Sequence, residues 1–340
     1  MPNKSLIAAG IDIGSNSFRI LIAQISGGQL TVLAKKLVTV RLGRQMTRKR
    51  RLSPEAMEKA LSVLRSFRSL LAEFQPQVCR ACGTAALRIA GNAEEFLRPA
   101  QKILGAKIEV ISGDEEARLN LTGALALKKS ARTPPLPPIL LADVGGSSTE
   151  LILVPDSIAG DAFHEPESHQ TASLPLGAVG LTEKFLHSAI PEDSEVMRMT
   201  GFIREILAPA IKRILVGTTS EIRQVVGTGG TATSMAAADL NLGRYSESII
   251  QGHVLPEDGI DRLWDRLVVL PPAKRNQLPG LAQDRGEIIL AGIRIYQVLL
   301  ELLGRRRLVV SDAGMLEGIL LSGARMKYPS LPLAYTLVCK

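Results

Sequence analysis

The chain has 340 residues and a net charge of +8, with 46% hydrophobic, 22% charged and only 4% aromatic residues. This is the composition of a globular protein of about two domains with a mainly aliphatic core, and it excludes a disordered or fibrous chain. No apolar run reaches the roughly 18 residues of a membrane-spanning helix, and three cysteines, Cys79, Cys82 and Cys339, point to a reducing compartment, the cytoplasm.

Residues Met1 to Ser5 lead directly into an apolar segment that carries Asp12 and no small-residue cleavage site, so no secretory signal is expected. Residues 5–13 and 19–25 read as two strands around a tight polar turn, and 30–40 as a third. A basic run follows: Arg41, Arg44, Arg48, Lys49, Arg50 and Arg51. It reads either as a solvated loop or as a landing strip for a polyanion, and no nucleic-acid-binding motif accompanies it. Ser53-Pro54-Glu55 opens a helix, with Ser as N-cap, Pro at the first position and an acid in the first turn. Apolar Met57, Leu61, Leu64, Phe67 and Leu71 carry that helix to about Phe74, before Pro76. Residues 78–83 read as a strand. Cys79 and Cys82 lie in it as strand residues, since no second pair completes a metal site. A turn or helix start at 85–90, a helix at 92–103, a strand at 107–111 and a helix at 114–127 complete a β-β-β-α-β-α-β-α pattern of mixed sheets covered by helices.

Four prolines within Thr133–Pro138 mark a stiff connection between domains. The opening pattern then returns, with strands at 139–142 and 149–154 around a turn at 143–148. Ile11-Asp12-Ile13-Gly14-Ser15-Asn16-Ser17 aligns with Ala142-Asp143-Val144-Gly145-Gly146-Ser147-Ser148, and a hydrophobic strand follows each. This reads as a duplicated domain, with one hairpin loop from each copy facing a shared cleft. Val225 to Thr231 is a strand and a Gly-rich turn that opens a helix at 231–240. A helix at 286–303, a strand at 307–310 and a helix from Ser311 through Leu321 follow.

The two loops have the chemistry of phosphate binding. Glycine lets the backbone approach an anion, hydroxyl and amide side chains add donors, and successive N–H groups form a nest. Gly14, Ser15, Asn16 and Ser17 form the first candidate loop, Gly145, Gly146, Ser147, Ser148 and Thr149 the second, and Gly229 and Gly230 a third contribution. Either loop alone would equally be a polar β-turn. A buried Asp before such a loop repels phosphate unless a cation intervenes, so Asp12 and Asp143 are expected to hold Mg²⁺ directly or through water. His164, His169, His187 and His253 are scattered without metal spacing. No Ser-His-Asp or Cys-His arrangement can be assembled, so a covalent intermediate is not favoured.

These loops resemble those of the exopolyphosphatase/guanosine pentaphosphate phosphatase family. So do Gly83-Thr84-Ala85-Ala86-Leu87-Arg88, Gly113-Asp114-Glu115-Glu116-Ala117-Arg118, Gly145-Gly146-Ser147-Ser148-Thr149-Glu150 and Gly227-Thr228-Gly229-Gly230-Thr231. The resemblance runs from Gly10 to about Leu320. It implies the α/β actin-like fold of sugar kinases and Hsp70 ATPases: two duplicated ribonuclease-H-like domains around a cleft. Domain I would be residues 1–128 plus 325–340, and domain II residues 129–324. It further implies Glu116 as the catalytic carboxylate and Arg88 as a phosphate-contacting arginine. Glu150 would join Asp143 and Asp12 at a Mg²⁺ or other divalent cation, with a homodimer as the assembly. Arg118 is either a substrate contact or a helix-face ion pair. Many members have Arg where this chain has Leu316, and the chain looks like the short, two-domain form. The expected activity is hydrolysis of terminal phosphoanhydride bonds of inorganic polyphosphate, or of guanosine pentaphosphate (pppGpp) by the same chemistry. Glu116 and the spelling of the loops speak against the rival readings, a kinase of the same superfamily or a non-catalytic polyphosphate or nucleotide sensor.

Overall fold

The computed structural model describes residues 5–44, 50–126, 138–155, 170–218, 221–281, 284–331 and 335–339. Most of the proline-rich segment, Arg48, Lys49, His164 and His169 lie outside the described residues. The chain forms two compact units, Met1–Ser130 with Ala313–Lys340, and Ala131–Asp312.

The first unit holds β1 (Leu6–Ile13), β2 (Ser17–Ser26), β3 (Gln29–Thr39), α1 (Pro54–Phe74), β4 (Val78–Gly83), α2 (Ala85–Ile89), α3 (Ala93–Leu104), β5 (Ile108–Val110) and α4 (Gly113–Ala126). The second holds β6 (Ile139–Val144), β7 (Thr149–Val154), β8 (Gln170–Leu174), α5 (Ala178–Phe185), α6 (Asp193–Ile214), β9 (Gln224–Thr228), α7 (Gly229–Asp239), α8 (Glu247–Ile250), β10 (Val254–Pro256), α9 (Glu257–Val268), α10 (Pro272–Arg275), α11 (Ile289–Leu303) and β11 (Arg307–Val310). The chain then returns to the first unit with α12 (Met315–Lys327) and β12 (Thr336–Cys339).

Each unit carries one sheet. The orders are β12-β3-β2-β1-β4-β5 and β10-β11-β9-β6-β7-β8. In both, three consecutive strands pair antiparallel, and the first of them then pairs parallel with the next strand in sequence. Without the edge strands β12 and β10, the two orders are the same, 3-2-1-4-5 in each unit's own numbering. The seven-residue repeat of the sequence is therefore the visible part of a whole duplicated topology, and the fold is the actin-like one.

Local chemistry accounts for the elements. Ser53 Oγ accepts the Ala56 N–H at 3.2 Å, Pro54 opens α1, and Ala60, Leu64, Phe67 and Leu71 bury one stripe of it. Cys79 and Cys82 are free thiols three residues apart on β4, which sends them to opposite faces of the sheet. Burial raises them to about 11 and about 12.

The division of the chain differs from the expected one, because residues 313–324 belong with the first unit. A Cβ on Gly123 of α4 would fall 1.7 Å from Gly314 O, and one on Gly318 would fall 1.8 Å from Leu119 O. A third, on Gly10 of β1, would fall 2.8 Å from Leu320 N. Three glycines thus let α12 lie directly on α4 and β1. Leu316 is buried with Leu6, Ala8 and Leu320 in that layer. None of the helices of the described residues is long and apolar enough to cross a membrane.

Candidate active site

The first loop closes with Gly14 N–H donating to Ser17 O at 3.2 Å, and the second with Gly145 N–H donating to Ser148 O at 2.9 Å. The two turns close by the same bond. In each, the loop carbonyls are tied back into the protein. Val40 and Arg41 N–H donate to Asn16 O and Gly43 N–H to Ser15 O. In the second loop, Ala178 N–H donates to Gly145 O and Val179 N–H to Gly146 O, both from the first turn of α5. In a trans peptide the N–H points opposite to the C=O. The amides of Asn16, Gly146 and Ser147 are therefore turned away from these anchors, as an anion nest requires.

The second loop is further seated against Gly177, where an added Cβ would lie 2.3 Å from Gly146 O and from Ser147 Cα. Thr149 Oγ1 donates to Leu176 O at 2.6 Å in the same place. Gly177 packs directly on the second loop and carries no motif of its own. Its one sequence signal is a lone glycine before an apolar helix.

In the first unit the loop also seats α2. Ala86 N–H donates to Ser15 Oγ at 3.2 Å, and Asn16 Nδ2 donates to Ser17 Oγ at 3.2 Å. From α2, Arg88 Nη1 reaches Glu116 Oε2 at 3.1 Å and Ile111 O at 2.7 Å. Glu116 lies in the first turn of α4, 7% exposed, below the N-terminal Ser112, whose O and Oγ accept the Glu116 and Glu115 amides. The two residues expected to be catalytic are thus an ion pair, in which the guanidinium fixes the rotamer of the carboxylate. The rest of the acidic triplet does other work. Glu115 pairs with Arg80 at 3.1 Å and with Arg118 at 3.7 Å, so Arg118 is a helix-face partner. Arg80 is buried and also holds Glu109 and Ser322, which ties α4 to β5 and α12.

In the second unit, Asp143 stands directly opposite Glu150 across β6 and β7. Such a pair sits on one face of the sheet with Cβ atoms about 5 Å apart. Glu150 is 1% exposed and accepts a hydrogen bond from Ser173 Oγ at 3.0 Å. Asp143 lies in the strand, not in the turn, because β6 runs to Val144. Its carboxylate rests on Gly229, where φ is +76° and a Cβ would meet Asp143 Oδ1 at 2.1 Å. Glycine is required there on both counts. Gly230 follows within the first turn of α7. Beneath them, the fully buried Tyr296 donates to Ala142 O and Thr228 O, at 3.1 and 3.3 Å.

Asp12 occupies the position in the first hairpin that Asp143 occupies in the second, but its cross-strand partner is Arg19, with Nη1 3.9 Å from Oδ2. Among the described residues there is no group of three metal-ligating side chains. Two carboxylates side by side, as at Asp143 and Glu150, form an all-oxygen donor set suited to a hard divalent cation; the Asp12–Arg19 pair does not. The backbone N–H of His187 donates to Glu195 Oε1 at 2.8 Å, and His253 Nε2 contacts Asp239 Oδ2 at 2.8 Å.

The model of the Ppx/GppA phosphatase family matches residues 21–326 of the chain. Over 327 residues the chain is 30% identical to exopolyphosphatase 2 of Mycobacterium tuberculosis, covering 92% of this chain and 97% of that protein. It is similar to the crystal structure of the Aquifex aeolicus member of the Ppx/GppA family, with 31% identity and a TM-score of 0.75 over 95% of this chain and 99% of the other. The structure of an exopolyphosphatase-like protein matches with a TM-score of 0.85 and 27% identity, over 95% and 99% of the two chains.

Proposed function

This chain belongs to the Ppx/GppA phosphatase family, and from that premise we propose that it is an exopolyphosphatase, which removes orthophosphate from the ends of inorganic polyphosphate. The observation that carries the reading is the buried Glu116 held by Arg88 at 3.1 Å. A carboxylate fixed in this way can orient a water and take its proton as the water oxygen bonds to the terminal phosphorus. The bridging anhydride bond then breaks, and orthophosphate leaves a chain one unit shorter. The Arg88 guanidinium suits the charge that develops on the equatorial oxygens. The backbone amides of Gly14 to Ser17 and Gly145 to Thr149, with Gly229 and Gly230, hold phosphate oxygens.

Asp143 and Glu150 are assigned to Mg²⁺ or a similar divalent cation, and Asp12 takes the lesser share because Arg19 already faces it. When bound, such a cation neutralises phosphate charge. The assignment to the cytoplasm follows from the free thiols and the low cysteine count. A homodimer follows from the family resemblance.

The test measures phosphate release from long-chain polyphosphate and from pppGpp in parallel, with Mg²⁺ and with EDTA, using Glu116→Ala as the control. The proposal expects Mg²⁺-dependent release from polyphosphate above that control. Release from pppGpp alone would replace the substrate, and release from neither would refute the enzyme.

A further inference from the structure

The positive charge of this chain is concentrated in one stretch. Residues 13–54 contain nine Lys and Arg and no Asp or Glu, against +8 for the whole chain, so the other residues together come close to neutrality. The first phosphate loop lies inside that stretch. Some of its cations are committed: Lys35 to the buried Glu317 at 3.1 Å, and Arg19 to Asp12. Arg44, Arg50 and Arg51 are exposed and Arg41 is half-buried.

The described backbone on either side of residues 45–49 is held by hydrogen bonds. At one end, Arg41 N–H donates to Asn16 O at 2.8 Å and Gly43 N–H to Ser15 O at 2.8 Å, so Arg41 and Arg44 are fixed to the first phosphate loop itself. At the other end, Gly91 N–H donates to Arg50 O at 2.9 Å and Leu52 N–H to the buried Asn92 Oδ1 at 2.8 Å, just beyond the helix that bears Arg88. Arg41 and Arg50 adopt positive φ, +63° and +44°. A non-glycine residue stays there only where its surroundings over-determine it. Arg51 is paired with Glu95 at 3.0 Å, both exposed, a contact weak enough to be exchanged for a stronger anion.

We propose that Arg44, Arg50 and Arg51 form a holding subsite for interior phosphates of a polyphosphate chain, next to the first phosphate loop, which makes long chains the preferred substrates. The inference rests on the polyphosphatase reading. A terminal phosphate needs one nest and one catalytic pair, whereas guanidinium groups outside the nest gain affinity only from a ligand with further charges. A linear polyphosphate carries such charges without bases, and residues 41–51 hold no aromatic residue on which a nucleobase would stack.

The experiment compares the Mg²⁺-loaded wild type with an Arg44→Glu/Arg50→Glu double variant on long-chain polyphosphate and on tripolyphosphate, at low and moderate salt. We expect KM for long chains to rise about tenfold, KM for tripolyphosphate to move less than about twofold, and the salt dependence of the long-chain KM to flatten. Should the reversed charges impair folding, seen as a lowered melting temperature, an Arg44→Gln/Arg50→Gln variant is expected to show the same selectivity at about threefold. Equal changes for the two substrates, or none, overturn the subsite. Tighter binding of a labelled single-stranded oligonucleotide than of long-chain polyphosphate by the wild type also overturns it. A wild type inactive on both substrates refutes the polyphosphatase reading itself, an outcome distinct from unaltered selectivity in an active enzyme.

Discussion

Hairpins β1–β2 and β6–β7 share one turn but differ in what stands across from its aspartate. Both carry an Asp two residues before the loop glycine, and both close by the same Gly-to-Ser backbone bond. Opposite that Asp stands Arg19 in the first hairpin and Glu150 in the second. The first carboxylate therefore meets a cation built into the chain, whereas the second shares its face with another carboxylate and suits a cation taken from solution. Their supports differ as well. The loop carbonyls of the first are braced by the basic segment after β3, and those of the second by the apolar first turn of α5. On the proposed reading, the first hairpin holds anions and the second a metal and anions together.

The largest effect that would break this comparison is on metal affinity. Glu150→Gln or Asp143→Asn should raise the Mg²⁺ concentration for half-maximal activity about 100-fold or more, and Asp12→Asn by about tenfold or less. Direct Mn²⁺ titration by calorimetry checks this without catalysis, and equal losses in the two hairpins would remove the distinction. Next in size is the brace. Gly177→Ala drives a methyl into the backbone of the second loop and should lower kcat/KM for polyphosphate about 100-fold, since displacements of about 1 Å have that effect. A variant with the melting temperature of the wild type and full activity would show that the brace does not matter. Smaller again is the packing under Glu116. Gly318→Ala pushes α12 from α4 and should lower stability by about 1–3 kcal/mol, read from urea melts. Its activity should fall more than that of Gly201→Ala on α6, where an added Cβ meets nothing within 4 Å.

The parts legible in the sequence were those written in local chemistry. The strand–loop–strand repeat, the Ser53-Pro54 helix start and the pairing of Asp143 with Glu150 all follow from residues a few positions apart. The Arg88–Glu116 contact joins residues 28 apart on different helices, and only family resemblance drew attention to both. The brace at Gly177 was not legible, because the residues that clash there are 30 positions away and apolar α5 carries no phosphate-type signal. The same reason applies to the boundary at residue 313. It is set by Gly123, Gly314 and Gly318 touching across two helices, and nothing in a single segment marks those glycines as partners. The strand β12 pairs with β3 from the opposite end of the chain, and its short apolar sequence does not specify a partner.

The measurement that bears most directly on the account compares Glu116→Gln with the wild type for phosphate release from long-chain polyphosphate at saturating Mg²⁺, with polyphosphate affinity measured on the same samples. The account predicts unchanged affinity and a kcat lower by about 10²–10⁴-fold, since the amide keeps the shape of the carboxylate and cannot take the proton. A variant that releases phosphate within about threefold of the wild-type rate would contradict the assignment of the base, because even the weakest general-base contribution exceeds that.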